Sequence, residues 1–338
     1  MARTQYFERN RKTITKNKTI TMTTEKTIKY FSMFSGIGGF ECGIEKADTE
    51  TSFECVGYSE IDNYAVKIYE KHYPNHINYG DARLINTKDL PNFELLVGGF
   101  PCQAFSLAGK RKGFNDTRGT LFFEIARVLK DKRPPYFLLE NVKGILSHNK
   151  GKTFQVILGV LSELGYNVEW QVLNSAHFGV PQKRERVFIK GYSRRKCGSE
   201  ILSLPRTSTE TDEGVKLKQL NKIIKPLKIA TATKKGYDEA FPCDGVRLDY
   251  PNGSTGRGRV QKNLAGTLSC GGNWGTVDQD FLIRRLTPVE CERLQGFSDD
   301  WTKWGKDGEL ISDTQRYKCL GNAVTTNVVT EIIEEMFQ

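Results

Sequence analysis

The chain has 338 residues, a formal net charge of +10, and 38% hydrophobic against 27% charged residues. That length predicts one large domain plus a smaller one, in a soluble globular protein rich in tight turns. The basic excess points to a polyanionic partner, most simply nucleic acid; a membrane surface is the competing reading, but no long apolar span or strongly amphipathic basic helix is present.

The first 27 residues read as a disordered basic arm, with eight lysines and arginines against Glu8 and Glu25 over the first thirty positions. They never develop an apolar core, so they are not a signal peptide. From Thr27 strand and helix signals alternate. Ile28–Phe34 reads as a strand, Ser35–Phe40 as a glycine loop, and a short helix runs to about Ala47. Phe53–Glu60 is the second strand, followed by a helix from Asp62 to about His72 that Pro74 stops, and a short strand near Ile77–Tyr79 ends at Gly80-Asp81. The apolar run Leu95-Leu96-Val97 reads as a buried strand leading into Gly98-Gly99-Phe100-Pro101-Cys102-Gln103, where two glycines and a proline predict a tight, rigid exit. Leu121–Lys130 is a helix with Leu121, Ile125 and Leu129 on one face; Tyr136–Glu140 is a strand; Phe154–Leu164 is a helix ended by Gly165; Val168–Leu173 and Val187–Ile189 close the series. This alternation predicts an α/β fold with a doubly wound, mostly parallel sheet.

Past Ser193 the pattern fails, and short strands, glycines and charges predict a smaller, irregular, β-rich domain over 194–283 with a basic face. In the segment 284–320, Thr287, Pro288 and Glu290 predict an N-cap, a first helical residue and a capping partner. Gly321-Asn322 precedes a final helix, Val324 to about Met336, within 321–338, expected to return to the first domain, residues 28–193.

Eight cysteines contain no CxxC pair and four histidines join no cluster, so no metal or disulfide framework is expected and the compartment reads as reducing, hence cytoplasmic. Cys102 alone has the surroundings of a working thiol, and no resolving cysteine lies within forty residues to give it a redox role. Glu140 ends the next strand in sequence; a carboxyl there with its pKa raised by burial acts as an acid toward a ring nitrogen. The glycine loop, Glu60 placed 22 positions beyond Gly38, and Asp81 form a series of loop, acid, acid at successive strand ends. That series fits an adenosyl cofactor, with Glu60 on a ribose diol and Asp81 on an adenine amino group, better than a triphosphate, because no GxxxxGK[ST] loop is present.

The blocks FSGIGGF (34–40), GFPCQAFS (99–106), DTRGTLF (116–122), ENVKG (140–144), GVPQKRERVF (179–188), RRLTPVECERLQGF (284–297) and GNAV (321–324) resemble, in order, the motifs of the DNA (cytosine-5) methyltransferases, in particular the compact bacterial and phage restriction–modification enzymes. The resemblance implies methyl transfer from S-adenosylmethionine, with S-adenosylhomocysteine as product, to carbon 5 of a flipped-out cytosine in a short double-stranded DNA site. It makes Cys102 the covalent nucleophile, Glu140 the group at ring nitrogen 3, and Arg186 the cation holding base and carboxylate. It seats the cofactor against Phe34, Gly36, Gly38 and Gly39, with Asn322 and Val324 approaching from the C-terminal side. It makes Ser106–Gly119, with Lys110, Arg111, Lys112 and Arg118, a loop that closes over DNA. Ala108 stands where some relatives carry a gap-filling serine, which leaves that role unassigned. Thr267-Leu268 resembles the Thr-Leu pair of the recognition region; Arg257 or Arg259 is a candidate for guanine, and Arg184 joins the DNA-binding set. The family type further implies a monomer near the nucleoid, and a restriction endonuclease paired in function without a stable complex. Two other readings stay open: an RNA cytosine-5 methyltransferase, and a DNA-binding protein that has lost catalysis.

Overall fold

The computed structural model describes residues 26–101, 121–195, 226–248 and 259–338. Cys102, Ser106, Ala108, Lys110, Arg111, Lys112, Arg118, Arg257 and the basic arm up to residue 25 lie outside the described residues.

The main sheet contains β1 (Thr27–Met33), β2 (Ser52–Ser59), β3 (Leu95–Gly99), β4 (Tyr136–Val142) and β5 (Tyr166–Asn174). After a two-residue strand, β6 (Gln182–Lys183), comes its last member, β7 (Glu185–Ser193). The order is β2-β1-β3-β4-β7-β5. β1 pairs in parallel with β2 and β3, as β3 does with β4, but β7 runs antiparallel to both β4 and β5. The expected Ile77–Tyr79 strand shrinks to a single bridge, Tyr58 to Asn78, on the β2 edge. Central strands buried on both faces read as unbroken apolar runs, and Leu95, Leu96 and Val97 are fully buried.

Helices cover both faces: α1 (Gly39–Glu45), α2 (Asn63–His72), α3 (Leu121–Lys132) and α4 (Lys152–Glu163). Asp62 caps α2 by accepting from the Tyr64 and Ala65 amides. One core cluster joins α3 and α4 to the sheet through Ile125, Val128, Leu129, Ile157 and Leu161. The opposite face is covered by α1 and the C-terminal helix α7 (Thr326–Phe337), whose Val328, Val329, Ile332 and Ile333 recur at helical spacing.

Among the described residues, the second lobe contains strands and no helix. It holds a hairpin of β8 (Leu227–Ala230) and β9 (Tyr237–Ala240). It also holds an antiparallel sheet of β10 (Gly245–Arg247), β11 (Val260–Gln261), β13 (Trp274–Val277) and β14 (Ile283–Arg285), in the order β11-β10-β13-β14. Between these, β12 (Ala265–Gly266) pairs in parallel with β6 and so ties this lobe to the first.

Thr287 caps the next helix, α5 (Pro288–Leu294), in a complete capping box with Glu290. One helix was not anticipated: α6 (Asp313–Asn322), which carries Gly321 and Asn322 at its end, where a simple lead-in to the last helix was expected. Ile37 and Cys42 of the first lobe share a core cluster with Leu268, Leu294, Phe297 and Leu320, so the C-terminal segment packs directly behind the glycine loop. Among the described residues no helix is long and apolar enough to cross a membrane.

Candidate active site

The loops leaving β1, β2, β3 and β4 open onto one cavity of about 490 Å³, within the size range of small-ligand sites. Phe34, Gly36, Ile37, Glu60, Asp81, Pro101, Glu140, Arg186 and Asn322 all line it. Residues scattered over nearly 290 positions of sequence therefore converge as the strand order requires.

At one end stands Glu140. Its Oε1 lies 2.9 Å from Arg186 Nε, with side chains only 12% and 14% exposed. β4 and β7 set this pair: Val142 faces Arg186 and Glu140 faces Phe188, so the two charged residues are diagonal neighbours on one face of an antiparallel ladder. Burial pushes the Glu140 carboxyl above the ordinary carboxylate range, while the nearby Arg186 and Arg184 cations pull it back only in part.

Gly98 and Gly99, expected to form the exit turn, are the last residues of β3. Their lack of side chains serves close approach. A Cβ on Gly98 would lie 2.7 Å from the Met33 carbonyl oxygen of β1, and one on Gly99 would lie 3.2 Å from Glu140 Oε2. The turn that follows is pinned by Asn141, whose buried Nδ2 donates to the Phe100 carbonyl at 2.7 Å. Chain and cavity thus meet at Pro101, one residue before Cys102. Asn141 was missed as a positioning residue; its signal was a polar amide at the end of an otherwise apolar strand.

At the other end, Glu60 organises the glycine loop. Its Oε2 accepts from the Gly36 amide at 2.9 Å and its Oε1 from the amides of Ile61 and Asp62, both at 2.8 Å. Oε1 is filled by its two amides, while Oε2, with one partner, keeps a lone pair for a ligand hydroxyl. Phe34 adopts a left-handed φ of 56°, a conformation costing a bulky residue on the order of 1 kcal/mol, at the bend that turns the loop into the cavity. Asp81 lines the cavity but is engaged by Arg83, which holds its carboxyl below the usual range. Ile61 was missed: it lines the cavity, 64% exposed, an apolar surface directly beside Glu60.

Five expected contacts are corrected, the first at Gly38, which does not line the cavity: a Cβ there would fall 2.7 Å from Tyr73 Cε2. Gly39 and Val324 pack against each other behind the loop, a Cβ on Gly39 falling 2.7 Å from Val324 Cγ1; Val324 is 7% exposed and shapes the loop from below. Arg184, placed among the DNA contacts, is 1% exposed. Its guanidinium donates to the carbonyls of Leu268 (3.1 Å), Gly321 (3.0 Å) and Ala323 (2.7 Å), clamping the second lobe and the end of α6 to the strand that carries Arg186. Desolvation lowers its pKa to about 9. Arg259 is likewise buried, and its guanidinium donates to the carbonyls of Ala230 and Arg247 inside the second lobe.

A second cleft of about 550 Å³ shares Val142 and Arg186 with the first. Lys143 and Lys183 line it from the catalytic side, and Arg247, Gln261 and Thr267 from the second lobe. Thr267 is held there by its hydroxyl, which donates to the Lys183 carbonyl at 2.8 Å. Among the described residues no group of histidines, cysteines and acids is placed to hold a metal ion.

A glycine loop beside a backbone-anchored carboxylate, in a parallel sheet with one antiparallel strand inserted next to its far edge, defines an S-adenosylmethionine-dependent methyltransferase. The solved structure of a Spodoptera frugiperda DNMT2 mutant has this fold, with a TM-score of 0.59 over 92% of this chain and all of that one, at 20% identity. Residues 28–240 and 247–338 match the family model of C-5 cytosine-specific DNA methylases. The chain is 37% identical to the type II methyltransferase M.SsoII of Shigella sonnei, covering 91% of this chain and 79% of that one. It is 35% identical to M.NlaX of Neisseria lactamica, covering 91% and 96%. The chain belongs to the C-5 cytosine-specific DNA methylase family, and it transfers a methyl group from S-adenosylmethionine to carbon 5 of cytosine in DNA.

Proposed function

We propose that Cys102, Glu140 and Arg186 carry this reaction at the meeting point of the two cavities. The observation behind the reading is the desolvated Glu140–Arg186 pair on the wall that Pro101 also lines. Carbon 5 of cytosine is a poor nucleophile. Addition of the Cys102 thiolate to carbon 6 moves electron density onto carbon 5 and ring nitrogen 3. Glu140 holds a proton at nitrogen 3 and so stabilises that density, and Arg186 orients base and carboxylate together. S-adenosylmethionine, when bound, supplies the electrophilic methyl group. Loss of the carbon 5 proton with release of Cys102 restores the aromatic ring.

The methyl donor is assigned to the cavity between Gly36, Ile37 and Asn322, with Glu60 accepting from the ribose, Ile61 against the adenine face and Asp81 on its amino group. A tritiated methyl group should appear on carbon 5 of deoxycytidine after nucleoside digestion of a mixed-sequence duplex. Absence of label from every duplex overturns the reading, and label in RNA instead would move it to the RNA enzymes.

Gly99→Ala tests the geometry around Glu140. The added methyl must displace the Glu140 carboxylate by a few tenths of an ångström. Since small misplacements at a reacting centre cost rate steeply, kcat should fall about tenfold with the fold and duplex affinity retained. A wild-type kcat would show that the carboxylate position does not matter.

The second cleft is proposed as the path of the duplex, with 194–283 as the target-recognition domain, 284–320 as a hinge segment, and Arg247 and Gln261 taking the base-reading place vacated by Arg259. The chain is taken to act as a monomer, near the nucleoid and without a stable endonuclease complex. Log affinity for duplex should fall linearly with log salt, with a slope reflecting on the order of six to ten phosphate contacts. A flat response overturns the cleft assignment.

A further inference from the structure

The glycine loop is gripped from two sides. Glu60 takes the Gly36 amide from the cavity side. One residue on, the Ile37 carbonyl accepts from the indole Nε1 of Trp301, at 3.0 Å, from behind. Ile37 itself is 1% exposed and lines the cavity. Trp301 lies in the turn after α5, far outside the loop in sequence, and it is held as firmly as what it holds. Its ring stacks on His72 of α2, with centroids 3.6 Å apart and planes 5° from parallel. His72 Nε2 donates to the Trp301 carbonyl at 2.8 Å. The turn around it is built on the fully buried Glu292, which accepts from the amides of Asp300 and Thr302, each at 2.8 Å. Glu292 also takes the Thr302 hydroxyl and the Arg316 guanidinium, the latter at 3.0 Å, so its buried charge is compensated while its two amide bonds fix the turn in one geometry.

We infer that Trp301 is a positioning residue for the methyl donor: through its indole N–H it fixes the Ile37 peptide, and with it the loop conformation that S-adenosylmethionine meets. The inference rests on the assignment of the donor to this loop. Without the indole N–H, the Ile37 carbonyl loses this bond, and the peptide between Ile37 and Gly38 is fixed from one side fewer, its N–H still donating to the Ser35 carbonyl at 3.1 Å. Donor binding then carries the added entropic cost of ordering the loop. The chemical step, set by groups at the other end of the cavity, stays as it was.

The test is S-adenosylmethionine binding by titration calorimetry without DNA, alongside steady-state kinetics. Trp301→Phe keeps a ring over His72 and removes the donor. Its dissociation constant should rise about fivefold to tenfold, the KM for the donor should rise with it, and kcat at saturating donor should stay within twofold. Trp304→Phe, a change at a 41% exposed tryptophan three positions on, should leave all three values unchanged. A variant that merely weakened the fold would lower the fraction of binding-competent protein and the melting temperature with the dissociation constant unmoved; that result overturns the inference, as does a fall in kcat alone. If Trp301→Phe does not fold, His72→Phe serves. It keeps the stack and removes the bond to the Trp301 carbonyl, and a rise of at least about twofold supports the inference while no change overturns it. Glu60→Ala separates the two layers. If it leaves donor binding intact, the loop assignment fails and the inference with it; if it weakens binding while Trp301→Phe does not, the inference alone fails.

Discussion

Cys102→Ala is expected to lower methyl transfer by more than about 10⁴-fold while leaving duplex affinity within about threefold. A nucleophile that opens a covalent pathway has no partial substitute, and its loss ordinarily removes most of an enzyme's rate advantage. Carbon 5 of an unactivated cytosine does not attack a methyl donor at a useful rate, so Glu140 and Arg186 without a thiol have no developing charge to stabilise. Duplex affinity answers to other groups. Lys143, Lys183 and Arg247 line the cleft assigned to DNA, and their contacts with phosphate do not pass through the thiol. Methyl transfer and gel-shift titration on one preparation check both halves. Joint loss of transfer and binding would mean that the cysteine holds the fold, and retained transfer would mean that the nucleophile lies elsewhere.

What could be read from the text alone was whatever is set locally. Thr287, Pro288 and Glu290 form a capping box within four positions, and the box stands as expected. Glu60 and Glu140 were legible because a strand run ends at each, and strand ends in such a sheet face the ligand crevice. The antiparallel run of β7 was not legible, because strand direction is fixed by partners across the sheet. Arg184 and Arg186 stand two apart in one basic run, yet one is a buried clamp and the other a site residue. Arg184 answers to the carbonyls of Leu268, Gly321 and Ala323, 84 to 139 positions away. Helix α6 escaped because its Asp-Thr-Gln-Arg start and Gly-Asn end carry little apolar period. Trp301 escaped for the reason Arg184 did: its partner, Ile37, lies 264 positions away.

The Arg184 clamp also bears on how the site is kept. Through three backbone carbonyls it ties the second lobe and the end of α6 to the chain two positions before Arg186, the cation beside Glu140. Buried and paired only with neutral carbonyls, it also contributes positive potential that draws the Glu140 pKa down. The carboxylate therefore senses two cations, one in contact and one at a distance.

That balance leads to the second large effect. Glu140→Ala should reduce kcat by about 10³-fold, within the range that general acid–base groups contribute. Glu140→Gln should fall between this variant and wild type, because an amide N–H can hydrogen-bond ring nitrogen 3 but cannot deliver a proton. The pH profile decides whether the proton matters. With a folded-state pKa raised by burial, Glu140 keeps its proton further toward neutrality than an ordinary carboxyl, so activity that needs the protonated form declines as pH rises through that raised value. Glu140→Gln has no such proton to lose and should erase this alkaline decline. Arg186→Gln should move it to higher pH, because removing a cation that favours the charged carboxylate raises the pKa further, even as loss of base orientation lowers the plateau. Steady-state kcat measured across pH for the three variants gives the answer. If Glu140→Gln keeps the wild-type limb, the titrating group is another residue, and Glu140 acts by position alone.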